Sequence, residues 1–536
     1  MIQTALPPRF APLANLNQDG LVFWMHPDQG RDGGERGWDS AAADVLIEGG
    51  IIAAVGSNLS ADGAEVLDAS QRFVIPGGID PHMHPRQLPQ WWPGRYDDHR
   101  LFVIPQPEES LLGAYEKWLG WAEGRAVCDF GFSVAVTYFN DAVKEEMRQL
   151  AETKGVNSFK FFMAYKDMMM LRDDELFQAF RHCADIGALV RVHAENGDVI
   201  AEKAKEMMEL GISGPEGHLQ SRTEEVEAEA TGRACMLSAQ ANAPVYIVHV
   251  MSRGAAEAIF EARKKDAVVF GEPIAASLGV DGSNYFHKCW RHAAGFVLSP
   301  PLRPDKGTPE YLMNLLACGA LDLTGTDNCT FSASQKALGK DDFRKIPNGV
   351  NGLEDRLSVI WEKGVQSGKM DPMRFVSVTS TTAAKIFNCY PKKGRIAVGS
   401  DADVVIWNPD AKRTISAQTH HHAVDFNIFE GMTVHGVAEV TIAGGAIVWR
   451  DGKLATKEGH GKLIPLEPNC PYVFSRIRQR DSSDKPVKVE REPYQGPVIE
   501  IKAKPANNGE ATAERVTQPP GGKSSIFLQT YKKIVE

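Results

Sequence analysis

Six side chains of this chain are of types that hold metal ions, and they sit on five short apolar runs. His82 and His84 form an HxH pair directly after the run 73–79, and Lys160 lies in the middle of the stretch 157–167. His193 closes the run 188–194, His249 falls in the run 244–252, and Asp327 ends the run 321–327. In an extended segment residues two apart face the same way, so His82 and His84 can bind one ion together. Each of these groups taken alone reads as a satisfied polar residue at a strand end. Lys160 is different in kind, because an ammonium in an apolar wall must lose its charge, find a partner or reach water. A neutral lysine amine can react with carbon dioxide to give a carbamate, whose two oxygens are enough to bridge two metal ions. Four imidazoles, a carboxylate and a bridging carbamate suit a pair of borderline ions, with zinc favoured over magnesium or calcium.

Such a set works only if the ends of distant strands meet. The middle of the chain alternates strand-like runs (73–79, 126–137, 158–165, 188–194, 244–252, 267–275, 321–327) with charge-rich helical stretches such as 141–154, 173–186 and 224–241. Repeated β–α units predict a parallel sheet with helices outside, and at this length a TIM-like (β/α)8 barrel. All six candidate ligands then share the face on which barrel active sites form. Seven strands are counted where eight are needed. Nearer the ends, 43–56 reads as a hairpin turning at Gly49-Gly50, and 395–407 and 440–449 repeat its cadence. The expected layout is an irregular segment 1–42, a small β-sandwich from 43–72 and 394–465, a metal-dependent barrel over 73–393, and a C-terminal extension 466–536. That extension is polar over 482–525 and expected to be partly disordered.

The 536 residues, 43% hydrophobic and 24% charged, are ordinary for a soluble globular protein. A net charge of −10 argues against nucleic acid and anionic membranes as partners. No run reaches membrane-spanning length, and residues 1–30 lack a signal layout. Eight scattered cysteines with no CxxC pair fit a reducing compartment. The expected location is cytoplasmic.

The series HxH…Lys…His…His…Asp resembles that of the amidohydrolase superfamily. The text of segments 74–82, 155–167, 192–197, 211–218, 248–252, 271–279, 299–305 and 346–352 is similar to its hydantoinase/dihydropyrimidinase family. The likeness runs nearly without gaps from residue 102 to residue 480. It implies two Zn2+ per subunit, one held by His82, His84 and Asp327 and one by His193 and His249, bridged by carboxylated Lys160. It further implies Asp327 as general base and then acid, Tyr165 as donor to the oxyanion, and Tyr165, Ser299 and Asn348 as substrate-binding residues. The implied reaction is zinc-dependent hydrolysis of 5,6-dihydropyrimidines to N-carbamoyl-β-amino acids, by a homotetramer acting on a small cyclic amide.

The chain also departs from that pattern. Between His84 and Phe102 the family has a loop, a helix and an apolar strand, whereas here only 85–101 is present, with a charged 95–100 patch. That patch is not expected to form a buried barrel strand, so the region looks truncated, as in an aberrant splice form. Asn328 and Ser133 stand where histidine is common. The tract His420-His421-His422 is expected to be a solvated loop, and His218 with the 222–229 charge run to serve packing or subunit contact. Two rival readings remain. Collapsin response mediator proteins, non-catalytic scaffolds of the same fold, have a tail like 519–526. Another cyclic amidase (hydantoinase, allantoinase or dihydroorotase) is the other, with Arg86 two residues after His84 where dihydroorotase places an arginine.

Overall fold

In the computed structural model, which describes residues 22–23, 42–60, 63–84, 96–107, 109–483 and 487–497, the first hairpin turns where its glycines predict. Strand β1 (Val22–Phe23) pairs antiparallel with β2 (Ala42–Glu48), and β2 pairs with β3 (Ile51–Gly56) through Gly49 and Gly50 at φ 59° and 83°. A side chain at Gly50 would place its Cβ 2.9 Å from Gly444 O, in the turn of a second hairpin, so both turns need glycine to lie this close. The rest of 1–42 lies outside the described residues.

The run 73–79 splits in two. Strand β4 (Phe73–Pro76) belongs to the small sheet, whereas β5 (Gly78–Met83) opens the barrel, with Gly77 N bonded to Asp403 O at 2.9 Å between them. The expected start of the barrel at residue 73 is therefore corrected to Gly78. A continuously apolar run has no period that could mark where a strand changes sheets.

Parallel to β5 come β6 (Tyr96–Val103), β7 (Asp129–Ala135), β8 (Ser158–Phe162), β9 (Leu189–His193), β10 (Val245–Ile247) and β11 (Val269–Gly271), adjacent in that order. Residues 321–328 close the ring. Asp322 N donates to Gly271 O at 3.1 Å on one side, and Asp327 N to His82 O at 2.8 Å on the other. The barrel is thus complete with eight runs. This corrects the expectation that the charged 95–100 patch cannot be a barrel strand, because β6 pairs with both β5 and β7. Ladder bonds are made by the backbone, so two flanking parallel strands can align a third whatever side chains it carries. Its inner end supplies Phe102 and Val103, both fully buried. Residues 85–95 of the short connection, including Arg86, lie outside the described residues.

Helices cover the barrel because their apolar residues recur at helical spacing. Asp141–Thr153 buries Val143, Met147, Leu150 and Ala151, and Asn140 caps its start by accepting from Val143 N. Asp173–Asp185 buries Leu176, Ala179, Phe180 and Cys183. Helix Pro471–Ser483 sets Val473, Phe474 and Ile477 against Leu189, Tyr246, Val268 and Phe270. The start of the expected polar extension is therefore part of the core. Beyond it, Lys485–Glu536 forms a separate unit, of which 487–497 are described and carry no helix or strand.

Strands β12 (Val404–Thr414), β13 (Thr433–Ala443), β14 (Ala446–Arg450) and β15 (Lys453–Leu454) complete a five-stranded antiparallel sheet with β4. Its Val74, Val404, Ile406, Val440 and Ile442 share one apolar core with Ile52 of β3, which makes the two small sheets a sandwich. Lys393 joins sandwich to barrel, its ammonium among Asp129 (2.7 Å), Asp401 (3.1 Å) and Asp403. Arg356, fully buried, donates to Ile79 O at 2.8 Å, to Thr379 O at 3.2 Å and to Thr324 O. It fastens the first barrel run to the last.

Candidate metal centre

At the C-terminal ends of the barrel strands the six predicted ligands come together. His82 lies in the fully buried β5, and the half-buried His84 follows its last residue, Met83. Both Nε2 atoms point at one oxygen of Asp327, at 3.1 and 3.2 Å. His249 Nε2 lies 2.8 Å from His193 Nδ1. The rings of His82 and His249 stand 5.4 Å apart, so the two pairs are neighbours. Lys160 projects from β8 into the same place, 1% exposed, with its Nζ 4.9 Å from the Phe102 ring centroid. Its Nζ makes no ion pair or hydrogen bond among the described residues.

The donor set fits a metal pair. Burial pushes the pKa of His84, His193 and His249 down, which leaves neutral imidazoles with lone pairs to offer. Burial would lower His82 as well, but Asp327 and Glu272 outweigh it and hold it above the ordinary value, a proton that a metal cation would replace. Burial pushes Lys160 well below the usual lysine range, and nearby Arg191 adds to it. The resulting neutral amine is the form that can become a carbamate. Among the described residues Nδ1 of His249 is buried without a hydrogen-bond partner. Such an orphan is costly unless a ligand completes it. Among the described residues a second acidic cluster, Asp129, Asp401 and Asp403, has ligand spacing, but the Lys393 ammonium already occupies it.

Backbone strain gathers at the same spot. Tyr165, His249 and Asp327 all have positive φ, at 63°, 37° and 49°. Non-glycine residues adopt this region at a cost of roughly 1–3 kcal/mol each, and such positions cluster at functional sites.

Behind the ligands lies a layer of carboxylates that reasoning from sequence missed. His82 Nδ1 is 2.7 Å from Glu272, which also accepts from Tyr246. His193 Nε2 is 2.8 Å from Glu195, which accepts from Arg222 at 2.6 Å. Burial works against the Glu195 charge, yet Arg222 and His193 hold its pKa down to about 2. These contacts fix each ring's orientation, as outer partners of metal ligands do. The signal was weak in each case: Glu195 is two residues past His193, and Glu272 closes an apolar run. Arg222 corrects the expectation of mere packing or subunit contact, since its guanidinium also lies over the Tyr165 ring at 5.7 Å.

Of the expected substrate residues, Tyr165 stands against the candidate ligand His193. Tyr165 is half-buried beside His193, their ring centroids 5.1 Å apart, and burial pushes its pKa up to about 12. It stays a protonated donor at neutral pH. The buried Ser299 hydroxyl lies 3.5 Å from His218 Nε2, which is itself 2.8 Å from Leu298 O. Asn348 sits half-buried in the neighbouring 346–350 loop. Asn328 faces away from the ligands, its Oδ1 accepting from Gly352 N at 3.1 Å and Leu353 N at 3.3 Å. Ser133 bonds Ser158 O at 3.0 Å. The histidine tract is no solvated loop: His422 is 8% exposed, and His421 Nδ1 lies 3.0 Å from Glu354. The packing of 420–422 against the 351–355 turn is a long-range contact that a polar tract does not announce.

Comparison with known proteins places this geometry. Residues 125–448 match the amidohydrolase family. The chain is 56% identical over 501 residues to dihydropyrimidinase 2 of Caenorhabditis briggsae, covering 90% of this chain and 96% of that one. It is 54% identical over 497 residues to dihydropyrimidinase of Rattus norvegicus, covering 89% and 96%. Among solved structures it is similar to dihydropyrimidinase from Brevibacillus agri, at 39% identity and a TM-score of 0.79, covering 84% and 98%.

Proposed function

Since the chain belongs to the amidohydrolase family, in its dihydropyrimidinase branch, we propose that it is a cyclic-amide hydrolase that opens 5,6-dihydropyrimidine rings to N-carbamoyl-β-amino acids. The observation that carries this reading is the convergence of four histidines, Asp327 and an unpartnered buried Lys160 on one end of the barrel. His82, His84 and Asp327 would hold one zinc, His193 and His249 a second, with Lys160 as the bridging carbamate. Bound zinc supplies a hydroxide near neutral pH and polarises the ring carbonyl.

The chain's own groups do the rest. Asp327, its carboxylate between His82 and His84, takes the attacking water's proton. It then returns that proton to the leaving ring nitrogen. Tyr165, protonated and aimed from its strained backbone, donates to the carbonyl oxygen as negative charge grows there. The loops of Ser299 and Asn348 hold the imide edge and thereby the ring's orientation. The same reading takes the protein as a cytoplasmic homotetramer acting in pyrimidine breakdown. No helix among the described residues is long and apolar enough to cross a membrane.

The direct test is hydrolysis of dihydrouracil by the purified full chain supplied with zinc and bicarbonate, with metal content measured on the same sample. Turnover with two metal ions per subunit is expected. A folded, metal-free protein without turnover would instead support the non-catalytic scaffold reading. Hydantoin and allantoin assayed alongside separate the other cyclic amidases. In the active protein Tyr165→Phe should lower kcat by about a hundredfold with little change in KM, the loss of one oxyanion donor. An equal rise in KM would mean that Tyr165 only binds substrate.

A further inference from the structure

Lys336 ends a four-residue helix, Ala333–Lys336, whose start is set by reciprocal bonds between Ser332 and Gln335. Its side chain turns inward and is 2% exposed, without an acidic partner among the described residues. The ammonium donates to three backbone carbonyls: Val297 O at 2.7 Å, Pro347 O at 2.7 Å and Gly349 O at 2.8 Å. Three N–H groups meet three acceptors. Two of those acceptors bracket Asn348, and the third lies two residues before Ser299. The two loops are otherwise joined by Gly349 N donating to Val297 O at 2.9 Å. A Cβ on Gly349 would come within 2.2 Å of Cys329 O, so this loop is also pressed against the end of the last barrel run.

We propose that Lys336 is a positioning residue for substrate, a buried clamp that sets the spacing between the Ser299 and Asn348 loops so that their backbone groups meet the two ends of a cyclic imide edge. The proposal rests on the reading that these loops hold the substrate. A buried cation without a carboxylate is expensive, and burial pushes this one down to about 7. Among the described residues the place that holds it offers carbonyls from these two loops and the Phe331 ring at 5.4 Å, and no carboxylate. An ammonium with three preset acceptors fixes distances that an apolar side chain of the same volume would leave to packing. The clamp touches neither the metal ligands nor Tyr165, so it can alter binding without altering the chemistry.

The test is Lys336→Met in the full chain, read by steady-state kinetics on dihydrouracil, metal content, and hydrogen exchange of amides in 297–299 and 346–350. KM should rise by about tenfold, the effect of roughly one lost buried hydrogen bond, with kcat and metal content nearly unchanged. Exchange should accelerate in both loops together while the β8 and β9 amides keep their protection. Unchanged KM would overturn the proposal even if exchange accelerates, because Lys336 would then serve stability alone. Exchange that is unaltered, or accelerated over the whole barrel, would overturn it too. If the unmodified protein turns over nothing, the function falls, and exchange still decides whether the clamp exists. Should Lys336→Met fail to fold, Lys336→Gln, which keeps two donors, should give the same pattern at smaller size, and a wild-type KM in that variant would count against the clamp.

Discussion

Lys160→Ala is expected to lower kcat/KM for dihydrouracil by at least about a thousandfold, the several kcal/mol that a metal pair contributes, while the barrel stays folded. The amine acts electrostatically on His84 of one set and on His193 and His249 of the other, and alanine offers no nitrogen on which a bridging carbamate could form. Metal content should fall below two ions per subunit in parallel with activity. The folded state should survive because two effects oppose each other. Truncating a buried chain leaves a cavity that costs about 2–4 kcal/mol. Against that, the change removes a desolvated amine that has no hydrogen-bond partner among the described residues, set near the Phe102 and Phe162 rings. Metal analysis, circular dichroism and kinetics on one preparation decide the matter. A variant that kept both ions and a tenth or more of the activity would remove Lys160 from the site.

The second large effect is on stability. Arg356→Leu should destabilise the folded chain by about 4 kcal/mol, the loss seen when one member of a buried charged network is removed. The guanidinium bonds Ile79 O and Thr324 O, from the first and last runs of the barrel, and Thr379 O beside them. Its charge also works against the burial that raises the pKa of Asp80, the carboxyl that receives Thr326 N at 3.1 Å and Thr326 Oγ1 at 2.5 Å. Leucine would leave three buried carbonyls and one carboxylate without that partner. Denaturant unfolding of the full chain measures the difference, and Arg356→Lys should recover a part of it. A loss under about 1 kcal/mol would show that water replaces the guanidinium and that closure of the barrel does not depend on it.

Much of this candidate site was legible because its candidate ligands carry local signatures. A histidine or aspartate at the end of an apolar run is placed by the strand itself, and the i, i+2 geometry of His82 and His84 follows from extended backbone alone. The helices were legible too: 141–154, 173–186 and 224–241 fall within one residue of Asp141–Thr153, Asp173–Asp185 and Glu224–Gln240. Strand β6 was not, because its pattern of charges contradicts what its neighbours impose. Two parallel strands with open ladder edges aligned it, and no window of sequence contains that information.

The six candidate ligands, the repeating β–α order that brings them to one face, and the hairpins at Gly49-Gly50 and Gly444-Gly445 were determined by the sequence itself, since each depends on spacing within a few residues. Tertiary structure alone decided which carboxylate stands behind which histidine. Glu272 reaches His82 across 190 positions, and Arg222 reaches Glu195 across 27. It alone decided that 321–328 closes the ring without forming a regular strand, that Phe73–Pro76 leaves the barrel for the small sheet, and that Lys336 bridges two loops. The physical reason is common to all four. A buried polar group takes whatever partner the packed chain brings within hydrogen-bond distance, and that choice is made by the fold as a whole.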